Sequence, residues 1–105
     1  MKYILSAFTM AAALASGTAS ATEIVVTQND KEFSSESVDA AVGDTIVFRN
    51  DDKVAHNVHS TTAGHKFNLG LQKPGESAQL VLSEDGTIAI RCAIHPKMKI
   101  TVNVK

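Results

Sequence analysis

The chemically dense stretch of this sequence is Cys92-Ala93-Ile94-His95-Pro96-Lys97-Met98. It places a thiol, an imidazole and a thioether in one short segment, with His95 and Met98 following Cys92 at intervals of three. A turn can bring such positions back around one point. Cys92 is the single cysteine of the chain, so no intramolecular disulfide can claim it. A bound metal would occupy the thiol. A trigonal set of two histidines and a cysteine, with a weak, long axial methionine, is the arrangement of a blue-copper electron-transfer site. Cys92, His95 and Met98 supply three of those four groups.

The missing imidazole must come from His56, His59 or His65. If Val54 to Ser60 is extended, His56 and His59 point to opposite faces, because side chains alternate along a strand. Both are therefore not expected at one ion. His65 lies in the loop-like Thr61-Thr62-Ala63-Gly64-His65 and is expected to be solvated. His56, following the Asn50–Lys53 turn, is the choice.

The elements that must position these groups read as strands. Ile24 to Thr27 is a β-branched run. In Thr45 to Asn50, Ile46 and Phe48 take one parity against Thr45, Val47 and Arg49. Leu80 and Leu82 alternate with polar neighbours. Ile88, Ile90 and Cys92 share a parity, which aims the thiol inward, and Ile100, Val102 and Val104 repeat the pattern near the C-terminus. Gly43-Asp44, Asn50 to Lys53, Pro74-Gly75 and Glu84-Asp85-Gly86 mark turns. Short strands at this spacing predict an all-β sandwich or barrel. No helical period, repeat or low-complexity linker interrupts the single domain expected over residues 22–105. Phe33, Phe48 and Phe67 are expected in its core.

The first residues read as a cleaved export signal. Lys2 is followed by an apolar run to Leu14, and Ala19-Ser20-Ala21 is a small-residue cleavage site, so the mature chain is expected to begin at Thr22. The run falls short of the roughly 20 apolar residues a spanning helix needs. Removing residues 1–21 from the 105 leaves 84, enough for one modest core. Only Lys2 among the charged residues goes with them, leaving nine cations against eleven carboxylates. That balance, with no basic stripe and no interleaved aromatics, argues against nucleic acid. A polybasic membrane patch is absent as well.

Four stretches together resemble the cupredoxins, the plastocyanin-like small copper proteins. They are Val42-Gly43-Asp44-Thr45-Ile46-Val47-Phe48-Arg49-Asn50, His56-Asn57-Val58, Pro74-Gly75-Glu76 and Cys92-x-x-His95-x-x-Met98, in the family's order through nearly the whole mature chain. The last spacing is similar to that of amicyanins and pseudoazurins. The resemblance implies a Greek-key β-sandwich and one copper ion cycling between Cu(II) and Cu(I). His56, Cys92 and His95 would be equatorial ligands, and Met98 the axial one. Asn57 would tie the His56 strand to the ligand loop. The implied role is a periplasmic, monomeric electron carrier rather than an enzyme. Its partners would be redox proteins such as a c-type cytochrome or a periplasmic dehydrogenase or oxidase, docking on the apolar Ala93, Ile94 and Pro96 around His95. The short loop also implies that His95 leaves copper(I) in mild acid. Two features depart from the family's usual pattern. Ile94 stands where proline is frequent before the second histidine, and Pro96 follows instead. Phe67-Asn68-Leu69-Gly70-Leu71 and the extra His59 look more like a plastocyanin-like branch associated with amine-oxidising gene sets than like amicyanin itself.

Other chemistries fit less well. A copper buffer or delivery protein, with His59 or His65 joining a non-blue site, is the main rival. A Cys92–histidine nucleophile pair lacks an oxyanion-hole motif. A c-type haem needs C-x-x-C-H, which is missing, and a superoxide dismutase site lacks histidines. Lys66, Arg91, Lys97 and Lys99 suggest a positive rim near the loop, against which stands the reading of an ordinary solvated surface.

Overall fold

The computed structural model describes residues 20–105. The expected leader therefore lies outside the described residues, apart from Ser20 and Ala21. Nine strands follow in order: β1 (Glu23–Asn29), β2 (Glu32–Phe33), β3 (Ser37–Ala40), β4 (Thr45–Asn50), β5 (His56–Ser60), β6 (Phe67–Gln72), β7 (Ser77–Val81), β8 (Gly86–Arg91) and β9 (Lys99–Val104). They form a Greek-key sandwich of two mixed sheets, ordered β2-β1-β4-β7 and β3-β9-β8-β5-β6. β1 pairs β4 and β3 pairs β9 in parallel, and the other pairings are antiparallel.

The period-two pattern explains the core. Ile46 and Phe48 of β4, Ile88 and Ile90 of β8, and Ile100, Val102 and Val104 of β9 are all buried between the sheets. Each such side chain contributes about 1.5–3 kcal/mol over leaving it in water. Phe33 meets Phe48 edge to face at 6.0 Å, which closes the sandwich beside the β1–β2 hairpin. Cys92 continues the inward parity of Ile88 and Ile90 to the strand end and is buried with them.

Three strands were not legible as such. β2 and β3 are too short to show a period. β6 hides its alternation because a step of three residues along it, from Asn68 to Leu71, spans a step of two along β5, from Asn57 to His59. The extra residue sits where Gly70 adopts φ +83°, a conformation glycine takes without steric cost. Inward parity changes across this bulge, so Phe67 and Leu69 pack toward the core on one side and Gln72 on the other.

β1 also runs further than its β-branched stretch, through Gln28 and Asn29. Gln28 is fully buried despite its polarity, and its amide donates to Gln72 Oε1 at 3.0 Å. Gln72 in turn donates to the Phe48 carbonyl at 2.8 Å, and Asn50 donates to the carbonyls of Val54 and Gln72. This polar column braces the turn that leads into His56.

Candidate metal centre

His56 opens β5, and Cys92 immediately follows β8, its antiparallel neighbour in the same sheet. The adjacency brings residues 36 positions apart side by side. Cys92 to Met98 then forms a tight loop into β9. Met98 N donates to the His95 carbonyl at 2.9 Å, and Cys92 N faces the Met98 carbonyl at 3.4 Å. That closure turns the His95 ring back over the end of β8. The two imidazoles meet edge to face, 4.8 Å between centroids.

Three donor atoms converge. His56 Nδ1 and His95 Nδ1 are 3.1 Å apart, and Cys92 Sγ lies 3.9 Å from the first and 3.8 Å from the second. A point equidistant from all three lies about 2.1 Å from each, which suits metal bonds of roughly 2.0–2.1 Å to nitrogen and 2.3 Å to thiolate sulfur. His56 is wholly buried and Cys92 nearly so, while His95 is partly exposed.

The orientation of His56 is set from behind. Its Nε2 lies 2.9 Å from Asp52 Oδ2, so Nε2 carries the proton and Nδ1 presents its lone pair to the centre. A carboxylate behind a ligating histidine fixes the tautomer and raises the basicity of the ring. Asp52 is itself clamped: Lys31 N donates to Oδ2 and Lys53 N to Oδ1, each at 2.8 Å. Lys31 reaches it because Asp30 and Lys31 both take positive φ, 56° and 58°, in the two-residue turn of the β1–β2 hairpin. The Lys31 amide, then His56, then the Lys53 amide pull the Asp52 carboxyl down to about 2.

His56 Nδ1, His95 Nδ1 and Cys92 Sγ face one another closely enough for all three to give an electron pair to one cation. The donor chemistry therefore fits a soft monovalent or borderline divalent metal, and copper is the one that uses this His₂Cys set. The sequence matches the family model for a cupredoxin-like domain over residues 2–104. The chain belongs to the cupredoxin-like family. MauL, a methylamine utilization protein of Methylorubrum extorquens, is 33% identical over 87 residues, which cover 82% of this chain and 76% of MauL. A chloroplast plastocyanin of Fritillaria agrestis is 30% identical, covering 90% of this chain and 68% of that protein. Among solved structures, a reduced amicyanin mutant superposes with a TM-score of 0.72 at 28% identity, over 79% of this chain and 82% of amicyanin. A purple cupredoxin of Nitrosopumilus maritimus gives 0.69 at 26% identity, over 78% and 99%. His56, Cys92 and His95 are the donors of this cupredoxin that could hold one copper ion.

The remaining residues singled out in the sequence fall into three groups. Met98 is 2% exposed and packs in the core at the foot of the loop, on the same closed turn as His95. Asn57 joins the two ligand segments as expected: its backbone N–H donates to Cys92 Sγ at 3.3 Å, and its Oδ1 accepts from Ala93 N at 3.3 Å. Its amide also donates to Asn68 Oδ1 and the Gly70 carbonyl.

His59 and His65 stand apart from the metal triangle. His59 takes the opposite face of β5 from His56, with Nδ1 3.2 Å from Asn57 Oδ1. His65 is half-buried rather than solvated. Its Nε2 lies 3.0 Å from the Asp85 carbonyl, which secures the loop before β6 to the turn before β8. Asp52 is the functional residue that sequence reasoning missed. It read as one polar residue of a turn, although its place four before His56 was a usable signal.

Proposed function

We propose that this cupredoxin is a type 1 copper protein carrying single electrons between redox proteins in the periplasm, after export by a signal cleaved behind Ala21. The observation that carries the reading is the donor triangle, held at metal-binding distances by groups fixed independently of the metal. Asp52 pins His56, the Asn57 amide engages Cys92 Sγ, and the loop's own hydrogen bonds set His95. Bound copper supplies a one-electron Cu(II)/Cu(I) couple. A rigid donor set resists rearrangement when that couple changes state, so electron exchange is fast.

Met98, buried beneath the loop, would add a thioether to the donor set, and four protein donors would leave no open position for a substrate. The role is therefore transfer rather than catalysis. His95 is the partly exposed ligand and hence the route for the electron. Ala93, Ile94 and Pro96 around it are exposed, with Ile94 at 48%, and give a small apolar contact. A c-type cytochrome or a periplasmic dehydrogenase or oxidase fits that contact. The methylamine utilization name of MauL favours an amine-oxidising chain.

The test is to express residues 22–105, add copper(II) and record the visible spectrum and voltammogram. An intense thiolate-to-copper charge-transfer band with a reversible one-electron wave is expected. Copper bound without that band would point instead to buffering or delivery of the metal, and the proposal would be abandoned.

A further inference from the structure

Several of the basic side chains left unused by the metal site gather on one face. Register sets His59 of β5 opposite Arg91 of β8, and Arg91 opposite Lys99 of β9. Directly opposed residues of antiparallel strands share a face. Ile90, Cys92 and Ile100 point inward, so His59, Arg91 and Lys99 form a row across the outer face at the metal end. Lys97 adjoins the row, and Lys31 stands across a groove of about 550 Å³ whose walls also carry Glu32 and Glu36. Lys66, grouped with these cations in the sequence, lines a different hollow beside His65 and Glu84.

The arrangement is unfavourable for the fold alone. Like charges directly opposite destabilise a strand pair. Among the described residues the ion pairs are Arg49–Asp51 and His56–Asp52, so neither Arg91 nor Lys99 has a carboxylate within ion-pair reach. The chain does not lack them: its eleven Asp and Glu outnumber its cations. The uncompensated charges also sit at the metal centre, Arg91 directly before Cys92, and Lys97 and Lys99 on either side of Met98. Local conflicts of this kind persist where function uses them.

We propose that this row and groove form a docking surface for the acidic face of a redox partner protein. The inference rests on the electron-carrier reading for the nature of the partner, though not for the surface itself. A concave site suits a protruding acidic segment better than a bilayer. Glu32 and Glu36 on its wall would oppose a uniformly anionic membrane or nucleic acid while tolerating a partner that carries charges of both signs. A partner seated there abuts β8, which leads directly into Cys92, so docking and electron exchange share one short path.

The experiment compares the mature chain with the double variant R91Q/K99Q and with a control, K66Q/K105Q. The probe is poly-L-glutamate, titrated at low salt into the metal-free and the copper-loaded ¹⁵N-labelled proteins. Shifts are expected to centre on Lys31, Arg91, Lys97 and Lys99, and R91Q/K99Q to weaken binding by about tenfold, the low end of electrostatic steering. Its melting temperature is expected to hold or rise, since a repulsion is removed. In the copper-loaded protein, oxidation by hexacyanoferrate(III), which takes one electron from copper(I), slows by a similar factor relative to oxidation by cationic tris(phenanthroline)cobalt(III). Equal weakening in the control, or a lowered melting temperature with poly-glutamate binding intact, overturns the proposal. So does phosphatidylglycerol-vesicle binding that vanishes in R91Q/K99Q while poly-glutamate binding does not. The metal-free titration stands apart from the charge-transfer band, so failure of the docking surface and failure of the copper reading are distinguishable.

Discussion

Replacing Asp52 by Asn tests whether the carboxylate behind His56 tunes the copper. Asn keeps the size and one acceptor oxygen for His56 Nε2 while removing a unit charge. Taking the 2.9 Å contact, the width of the imidazole and the radius of the donor triangle end to end puts Oδ2 roughly 7 Å from the triangle's centre. A negative charge there favours the oxidised ion over the reduced one. For a one-electron couple the effect is about 100 mV at an effective dielectric near 20 and about 25 mV in bulk water. The Asp52 side chain is only 11% exposed, so D52N is expected to raise the reduction potential by about 50–100 mV.

Protein-film voltammetry gives the number, and the visible spectrum confirms that the site survives. D51N is the control, because Asp51 is an exposed neighbour paired with Arg49, and its effect should stay near the bulk-water figure. The Asp52 carboxyl is held down to about 2, so its charge persists through neutral and mildly acid pH. The difference between D52N and the parent is therefore flat there and shrinks only as pH falls toward 2. A potential unchanged in D52N, with the charge-transfer band retained, would refute the reasoning.

Met98→Leu preserves volume in a buried site and should cost less than about 1.5 kcal/mol in urea unfolding. If Met98 is the axial group, the same change moves the reduction potential and the absorption spectrum, and an unmoved potential removes it from the ligand set. Asp44 accepts from Thr22 N at 2.8 Å and from Ala41 N at 2.9 Å. Those bonds hold its carboxyl below its ordinary 3.8. Its contribution to stability is thus complete above that value and is lost as pH falls through the lowered one. Cleavage behind Ala21 would make the Thr22 nitrogen an ammonium and the contact an ion pair. Urea unfolding at neutral and at acid pH should show D44N weakened in the first and nearly matched to the parent in the second. On acidifying the copper(I) protein, proton NMR should show His95 leaving the metal while His56 stays, because only His56 is pinned by a carboxylate. Loss of both together would contradict that order.

Much of the site was legible because its parts are local. Cys92 and His95 lie within one loop, and the parity of Ile88, Ile90 and Cys92 alone aims the thiol inward. The exclusion of His59 followed from alternation as well, and held because the bulge at Gly70 falls on the partner strand rather than on β5. The solvated reading of His65 failed for the opposite reason. Its hydrogen bond goes to Asp85, twenty residues away, and no local pattern carries such a contact. The positive rim was half legible: composition gathered four cations, and register kept Arg91, Lys97 and Lys99 together while sending Lys66 elsewhere.

The sequence by itself determined the strand parities and the types and spacing of the candidate donors, since these depend on backbone geometry and side-chain chemistry over a few residues. Tertiary structure decided what depends on distant segments meeting. It set the 3.1 Å approach of two imidazoles, the Asp52 brace clamped by a hairpin turn, the buried Gln28–Gln72 column and the basic row across three strands. Each requires a particular register between strands far apart in the chain. Register is fixed only when the whole sandwich closes on its core.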